Sequence, residues 1–406
     1  MALTITYDGQ NVTSEAFAVN IRRGRNRNLD EFEPVSGSVT FRNYNANWTP
    51  PFLVTPSYLL MEDGSYLLLE NGSKIMLEQG SQASGDFGVI ELGRSITIDD
   101  GAVRVFTGHV EDVLFRYDRS GYTDATIILG DGLTTLGNSW FEDDWTATDN
   151  QLPGERITSV LNRDDIAFPS GGSYRNISDG QSPLMGDDVA VGTNALRYCQ
   201  LVSQSEFGKL FVDANGVLQF KGRYDFPSST PAADFDDDGT NLPFSGVDVD
   251  YGTELLKSSA SVQAVGGPVR MADGSALPTR LGKRNLAVTG LLLRHDGDVR
   301  ARAAFLAEKY SQTDTRVSAL EVILDDLDTS DRATVAGLDI HDTITWTWTP
   351  TGSDAEISQT LVIEGVTFIV DLYGAARVQL QLSDYPNTNY FYWDTDSYDS
   401  GVPFGF

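Results

Sequence analysis

Apolar and polar residues alternate along most of this chain, in short runs that Gly, Asn and Asp cut off. "GSVTFRN", "VRVFTGHVEDVLF", "DATIILG" and "RVQLQLS" are rich in β-branched or aromatic residues and bounded by turn formers, so each predicts a strand. The alternation is cleanest in "DTITWTWTP", where Ile344, Trp346 and Trp348 point one way and Thr343, Thr345 and Thr347 the other. Helical periodicity is confined to a few places. Residues 193–205 put Ala195, Tyr198 or Cys199, and Val202 on one stripe; residues 299–312 do the same with Val299, Ala303, Leu306 and Tyr310. "ERITSVLNR" predicts a shorter helix. The second long helix separates two β-rich halves, and a polar linker around "GPVRMADGSALPTR" precedes it. The expected fold is mainly β with a minor helical share.

One stretch departs from this rhythm. "SYLLMEDGSYLLLENGSKIMLEQGS", residues 57–81, holds three octads in tandem, each an apolar core closed by an acid, a turn pair and a serine. Asp63-Gly64 and Asn71-Gly72 are strong hairpin signals, because both central residues of a type I′ turn need a positive φ. They predict a three-stranded meander over residues 58–62, 66–70 and 74–78. Two-residue turns would set Met61 opposite Tyr66, Leu59 opposite Leu68, and Leu68 opposite Ile75. One face then carries Leu59, Met61, Tyr66, Leu68, Ile75 and Leu77. The other carries Tyr58, Leu60, Leu67, Leu69 and Met76, with Lys74 as its interior charge. A small sheet with two apolar faces is an aggregation hazard in water. The meander is therefore expected to be sandwiched in its own domain or clamped by another chain, and these apolar residues are candidate protein-interface positions. An eight-residue solenoid coil is the alternative arrangement; the two reversal signals favour the meander.

Composition narrows the function classes. A chain of 406 residues has room for two to four domains at about 150 residues each. Against 58 acidic residues stand 29 basic ones, a net charge of −29, which repels nucleic acid and anionic membranes. Specific nucleic-acid binding is not expected, although such a surface does not forbid a passage through which DNA slides. Cys199 is the single cysteine, which excludes an intrachain disulfide or a thiolate metal cluster within this sequence. "MALTITYDGQ" has neither a basic n-region nor an apolar h-region, and no segment approaches the roughly 20 apolar residues of a spanning helix. A soluble chain made in the cytoplasm, without stable membrane insertion, is the expectation.

Catalytic signals are sparse. His109, His295 and His341 lie outside any HExxH motif, and each reads as a solvated or hydrogen-bonded histidine. A Ser-His-Asp triad need not be local in sequence, but no GxSxG elbow and no GxxxxGK[ST] or GxGxxG phosphate loop is present. In "DFDDDGTN", Asp234, Asp236 and Asp238 followed by Gly239 open like a calcium loop. Ser245 stands where the bidentate Glu should be, so the run reads as a solvated acidic loop, with a metal site as the alternative. Nothing marks a carboxylate pair for glycoside hydrolysis. Trp346 and Trp348 fit either a core strand or a sugar-stacking platform, and the alternation favours the core. The tail "NYFYWDTDSYDSGVPFGF" reads as a frayed end or a docking strand. No catalytic residue, cofactor or bound metal is expected.

The order of the landmarks speaks where chemistry does not. "IRRGRNRNLDEFEPVSGSVTFRNYNANWTP" has a basic Arg-Gly-Arg turn, an Asp-x-Phe and a strand ending in Asn. "VFTGHVEDVLFRYD" with "GDGLTTLGN", then "SEFGKLFVDANGVLQFKGR", "LPFSGVDVDYG" as a linker, and "LEVILDDL…LDIHDTITWTWTP…TLVIEGVTFIV" follow. In this order, over about residues 20–385, the chain resembles the minor tail and tail-tip (baseplate) hub proteins of long-tailed bacteriophages. The octads depart from that pattern, since they occupy a connection that is usually short in the family.

The resemblance implies a phage tail hub-like architecture of two β-barrel-like domains joined by a mixed α/β middle region. The expected divisions are an N-terminal barrel over 1–148 with the meander inserted at about 53–85, and a middle region over 149–298. A helix plus C-terminal barrel over 299–385 and an aromatic, acidic tail over 386–406 complete them. It further implies a homotrimeric ring in the virion, whose six barrels match a six-fold tube. The implied partners are the distal tail protein or tube above, a fibre or spike protein below, and the tape measure. The acidic balance suits a conduit that DNA crosses without binding, with some acids facing the lumen. A hexameric distal tail protein, a tail-tip wall hydrolase and a glycan-binding module remain alternatives.

Overall fold

The computed structural model describes residues 3–43, 48, 58–59, 61, 65–70, 73–74, 90–119, 123–251, 256–275, 277, 279–311, 316–352 and 356–385. The first strands are β1 (Leu3–Tyr7), β2 (Gln10–Asn11), β3 (Ala16–Gly24), β4 (Glu33–Arg42), β5 (Ser95–Asp100), β6 (Val103–Tyr117) and β7 (Thr123–Gly130). A mixed region follows, with α1 (Gly132–Gly137), β8 (Trp145–Ala147), α2 (Pro153–Leu161), β9 (Arg175–Ile177), β10 (Asp187–Val189), α3 (Ala195–Glu206), β11 (Lys209–Val212) and β12 (Leu218–Lys221). Then come β13 (Ala233–Phe235), β14 (Gly246–Asp250), β15 (Ser259–Ala264), β16 (Arg270–Asp273), β17 (Asn285–Leu291) and α4 (Asp296–Lys309). The chain closes with β18 (Arg316–Ile323), α5 (Thr329–Ala336), β19 (Thr343–Trp348), β20 (Ile357–Val370) and β21 (Ala376–Asp384). The fold is mainly β with few helices.

Thirteen of the described strands join one sheet in the order β14-β18-β21-β20-β3-β4-β7-β6-β5-β1-β2, with β19 on β20 and β13 on β19. This sheet contains one plan twice. β5, β6 and β7 form a meander, extended by β4 and β3 past β7 and by β1 past β5; β19, β20 and β21 form another, extended by β18 and β14 past β21 and by β13 past β19. Both central strands are long, 15 residues in β6 and 14 in β20. Both bulge at one extra glutamate, Glu111 between Val110 and Asp112, and Glu364 between Ile363 and Gly365. Aligning the bulges sets "TGHVEDVLF" (107–115) on "TLVIEGVTF" (360–368), with Thr, Glu, Val and Phe shared. The copies differ at their ends, since β1 runs antiparallel to β5 whereas β13 runs parallel to β19.

The two arrays meet where β3 pairs antiparallel with the second half of β20, Val19 opposite Val370 through Gly24 opposite Gly365. With β21 on its other side, β20 is shielded along both edges, and every residue from Leu361 to Phe368 is buried. That is why "TLVIEGVTF" reads as a continuous apolar run rather than an alternating one.

The three helices that the 3.6-residue stripe predicts form as α2, α3 and α4, whereas α1 and α5 were not expected. In α3, Ala195, Tyr198, Cys199 and Val202 are buried, and Asn194 caps the N-terminus by accepting the Arg197 N–H. In α4, Val299, Ala303 and Leu306 cover the sheet β16-β15-β17 and share a second core with Ala260, Val262 and Leu291. Two stretches read as linkers hold strands instead. "GPVRMADGSALPTR" contains β16, paired with β15, and "LPFSGVDVDYG" contains β14, paired with β18. Both are short, and polar residues interrupt them, so their strand character comes from the neighbour's ladder rather than from an apolar pattern.

Arg156 of α2 is buried at the centre of the mixed region. Its guanidinium donates to Gln151 Oε1 (2.6 Å), Thr148 O (2.6 Å), Met185 O (3.0 Å) and Tyr198 Oη (3.1 Å). Burial pushes the Tyr198 hydroxyl up to about 12, against the pull of Arg156. Arg156→Met keeps the volume but strands these acceptors, and should lower unfolding free energy by about 3 kcal/mol in urea titrations; an unchanged midpoint would show that water replaces the guanidinium.

Candidate protein interface

The octads form antiparallel pairs in a different register from the one expected. Leu68 bridges Lys74 instead of Ile75, and the Leu69 N–H donates to Ser73 O (2.8 Å). Likewise the Met61 N–H donates to Ser65 O (2.7 Å) and the Leu67 N–H to Leu59 O (2.8 Å). Three residues, rather than two, separate the bonded positions 61 and 65, and 69 and 73. A one-residue slip exchanges faces. Tyr66 thus joins Tyr58 and Lys74 instead of Leu59 and Met61: the two rings meet edge to face at 5.5 Å, and the Lys74 ammonium lies 3.6 Å from the Tyr66 centroid and 5.1 Å from that of Tyr58. Met61, Tyr66, Leu68 and Leu69 are exposed; Tyr58, Leu59 and Leu67 are half-buried. Leu60, Ile75, Met76 and Leu77 lie outside the described residues, as does the aromatic tail 386–406.

The acidic run is built into a turn. Asp236 is buried and accepts the Gly239 N–H on Oδ1 (3.0 Å) and the Asn241 N–H on Oδ2 (2.7 Å). Asp238 accepts the Thr240 N–H (2.8 Å), and the Thr240 hydroxyl first and this N–H second hold its carboxyl below the usual range. Asp237 accepts the Thr349 N–H (3.1 Å) beyond β19, while Asp234 lies in β13 and points to solvent. Asp236 and Asp238 fasten the loop's own backbone, and Asp237 ties the loop to the segment after β19. Among the described residues no group of side chains is gathered as a metal site.

The histidines stand in separate elements. His109 in β6 lies 3.3 Å from Glu111, His295 sits at the N-terminal boundary of α4 without a side-chain bond to the helix, and His341 precedes β19 with φ +79°, where burial and then Lys209 and Lys221 push its imidazole down to about 4. Trp346 is buried against Phe244 and Trp348, so it offers no ring face to a sugar. A surface depression of about 570 Å³ is lined by Asp149, Glu155 and Asp179 among others. Glu155 is engaged in capping α2 through the Leu152 N–H, and Asp149 holds the Gly186 N–H and Arg294.

Sequence inspection missed the charged cluster behind the β3–β20 seam. The basic turn of "IRRGR" sends Arg23 and Arg25 inward onto carboxylates from the far end of the chain. Arg23 donates to Asp339 (2.7 Å), which also accepts the Ala214 N–H (2.7 Å). Arg25 donates from Nε to Glu364 Oε2 (2.9 Å) and lies 4.5 Å over the Phe32 ring. Lys209 Nζ (2.9 Å) and Ser383 Oγ (2.7 Å) donate to Glu364 Oε1. Burial would raise the Glu364 carboxyl, but Lys209 and Arg25 outweigh it and hold it down at about 2; burial pulls the Lys209 ammonium below its ordinary value. The available signal was the shared Thr…Glu-x-Val-x-Phe of the two central strands, which marks the bulged glutamate.

No protein-family model and no curated protein sequence matches the chain. Solved structures of tail proteins are similar to it in fold. The 43 kDa tail protein of prophage MuSo2 from Shewanella oneidensis is similar over 94% of this chain and 97% of its own, at 15% identity and a TM-score of 0.56. The tail protein from Neisseria meningitidis MC58 is similar over 94% of this chain and 95% of its own, at 11% identity and a TM-score of 0.60.

Proposed function

We propose that this chain is a structural, non-enzymatic component of a bacteriophage tail tip. In this reading it is a hub whose copies form a ring, adapt the tail tube to a distal fibre or spike, and let DNA pass. What supports it is the fold shared with two tail proteins along nearly the whole of each chain. The doubled strand plan favours the ring, since a homotrimer offers six like arrays to a six-fold tube. The partners are then the distal tail protein or tube above, the fibre or spike below, and the tape measure, all within the virion. A net charge of −29 keeps DNA from sticking to such a conduit. Among the described residues no helix is long and apolar enough to cross a membrane.

The exposed octads serve as a docking element for another virion protein or a neighbouring subunit. Deleting residues 53–82 should leave a folded, soluble chain that fails to enter tails; infectious particles at normal titre would sink that role. Native mass spectrometry with class averages tests the ring itself. Rings of three are expected, and rings of six would move the chain to the distal tail position.

A further inference from the structure

We propose that the outer edge of β14 in one copy pairs antiparallel with the open half of β6 in a second copy, repeating between chains the seam that β3 and β20 make within one. This deepens the ring proposed above and rests on it only for the closure of the ring.

The argument starts from the duplicated plan. Within one chain, β3 fills the slot beside the second half of β20. The strand that corresponds to β3 in the other array is β14, and the strand that corresponds to β20 is β6. Neither has its counterpart neighbour. Among the described strands β14 is bonded only along its β18 side. β5 ends opposite His109, with a last pair of bonds between Val110 and the Gly93–Arg94 backbone; beyond that point only β7 pairs with β6 among the described strands.

What the seam covers, these edges leave open. Thr367 and Val370 are 7% and 2% exposed beneath β3, whereas their counterparts on β6, Leu114 and Tyr117, are 54% and 57% exposed. On the partner edge, Val249 and Tyr251 are 39% and 74% exposed. Unpaired edges bearing apolar side chains are templates for another strand.

The register transfers through the ladders. Val370 faces Val19 and Ile369 faces Asn20 across the seam. The bulge alignment equates Val370 with Tyr117 and Ile369 with Arg116; the β4–β7 and β18–β21 ladders equate Val19 with Val247 and Asn20 with Asp248. Tyr117 then lies opposite Val247 and Arg116 opposite Asp248, a cation against an anion in a chain whose surplus of acids otherwise opposes self-association. Past the irregularity of β14 at Asp248 and Val249, Val249 comes against the stretch around Leu114. The match stops at Asp112, which replaces Gly365: a Cβ at Gly365 would lie 2.8 Å from Arg25 O, so the close crossing at that end of the seam has no counterpart. Because the two edges differ, the contact is head-to-tail, and successive copies close into a ring or run on as a filament.

The full-length chain with Arg116→Cys and Asp248→Cys tests the pairing. The one native thiol, Cys199, is buried and pushed up to about 12, so it does not compete. Oxidation should convert the double variant into reductant-sensitive multimers larger than dimers, and neither single variant should pass the dimer. Independently, Arg116→Asp or Asp248→Arg alone should weaken assembly at least tenfold by light scattering, and the two together should restore it. Circular dichroism checks that each variant is folded, and the charge exchange decides the matter if the cysteine pair disturbs folding. A wild-type chain that stays monomeric in solution, charge variants that assemble normally, or oligomers without the 116–248 link would overturn the proposal. Multimers linked at these positions from a protein absent from tails would leave the pairing standing and remove the tail reading; tail rings without the link would do the reverse.

Discussion

Replacing Glu364 with alanine should lower the free energy of unfolding by about 3–5 kcal/mol, the cost of leaving buried cations without their anion. Glu364 is buried at the bulge of β20 and is shared by Arg25 from β3's end, Lys209 from β11 and Ser383 from β21. Three distant parts of the chain therefore lose their common acceptor at once. Glu364→Gln keeps the shape and some of the hydrogen bonds but not the charge, and should fall between wild type and alanine. The wild-type contribution also depends on pH in a defined direction. The folded carboxyl is held at about 2, below the ordinary value of 4.5. Its contribution is thus complete above the ordinary value and is lost as pH falls from there through the folded value. Denaturant unfolding followed by circular dichroism between pH 5 and pH 2 should show wild type converging on Glu364→Gln. Parallel curves throughout would mean that the network adds nothing to stability.

Gly24→Ala should cost at least about 3 kcal/mol, through left-handed backbone strain added to overpacking. Gly24 has φ +93°, and a Cβ there would lie 2.3 Å from the Glu364 carbonyl oxygen. That oxygen accepts the Arg25 N–H at 2.9 Å, so neither backbone can move aside without opening the seam. Gly9 supplies the control, having φ +82° with open space around the position. Gly9→Ala should cost only about 1 kcal/mol. Equal thermal shifts for the two variants would show that the close approach carries no penalty. A larger shift for Gly24→Ala, with new protease cleavage near β3, is the expected result.

How much of this was legible in the sequence depends on where each strand gets its stability. β4, β6, β7, β19 and β21 carry their own alternation or apolar density, and were visible as strands. α3 and α4 carry their own stripes. β14 and β16 do not, because Gly246–Asp250 and Arg270–Asp273 owe their conformation to β18 and β15. The octad meander was legible as a set of reversals but not in register, since Asp-Gly and Asn-Gly favour a tight turn without fixing how many residues the loop spans. Of the interface candidates there, Met61, Tyr66, Leu68 and Leu69 are exposed, and Tyr58, Leu59 and Leu67 are half-buried. Asp234, Asp236 and Asp238 resembled ligands because an exposed strand carboxylate followed by two that fasten a turn has the spacing of a calcium loop's opening. Arg23, Arg25, Glu364 and Asp339 were opaque for a different reason. Partners that meet from opposite ends of a chain leave no local spacing to read.

That last property bears on how the chain is made. Arg25 and Glu364 are 339 residues apart in sequence, so the seam forms only after the whole stretch between them has been synthesised. At bacterial-type elongation rates of roughly 5–20 residues per second, β3 waits on the order of tens of seconds for β20 to emerge. Through that interval the finished first array carries an open ladder while other nascent chains are near. Contacts of such long range also slow the final folding step. The capture of its own β20 by its own β3 is therefore a late, long-range step, and a chain that captures a neighbour's strand instead would be exchanged, not unfolded.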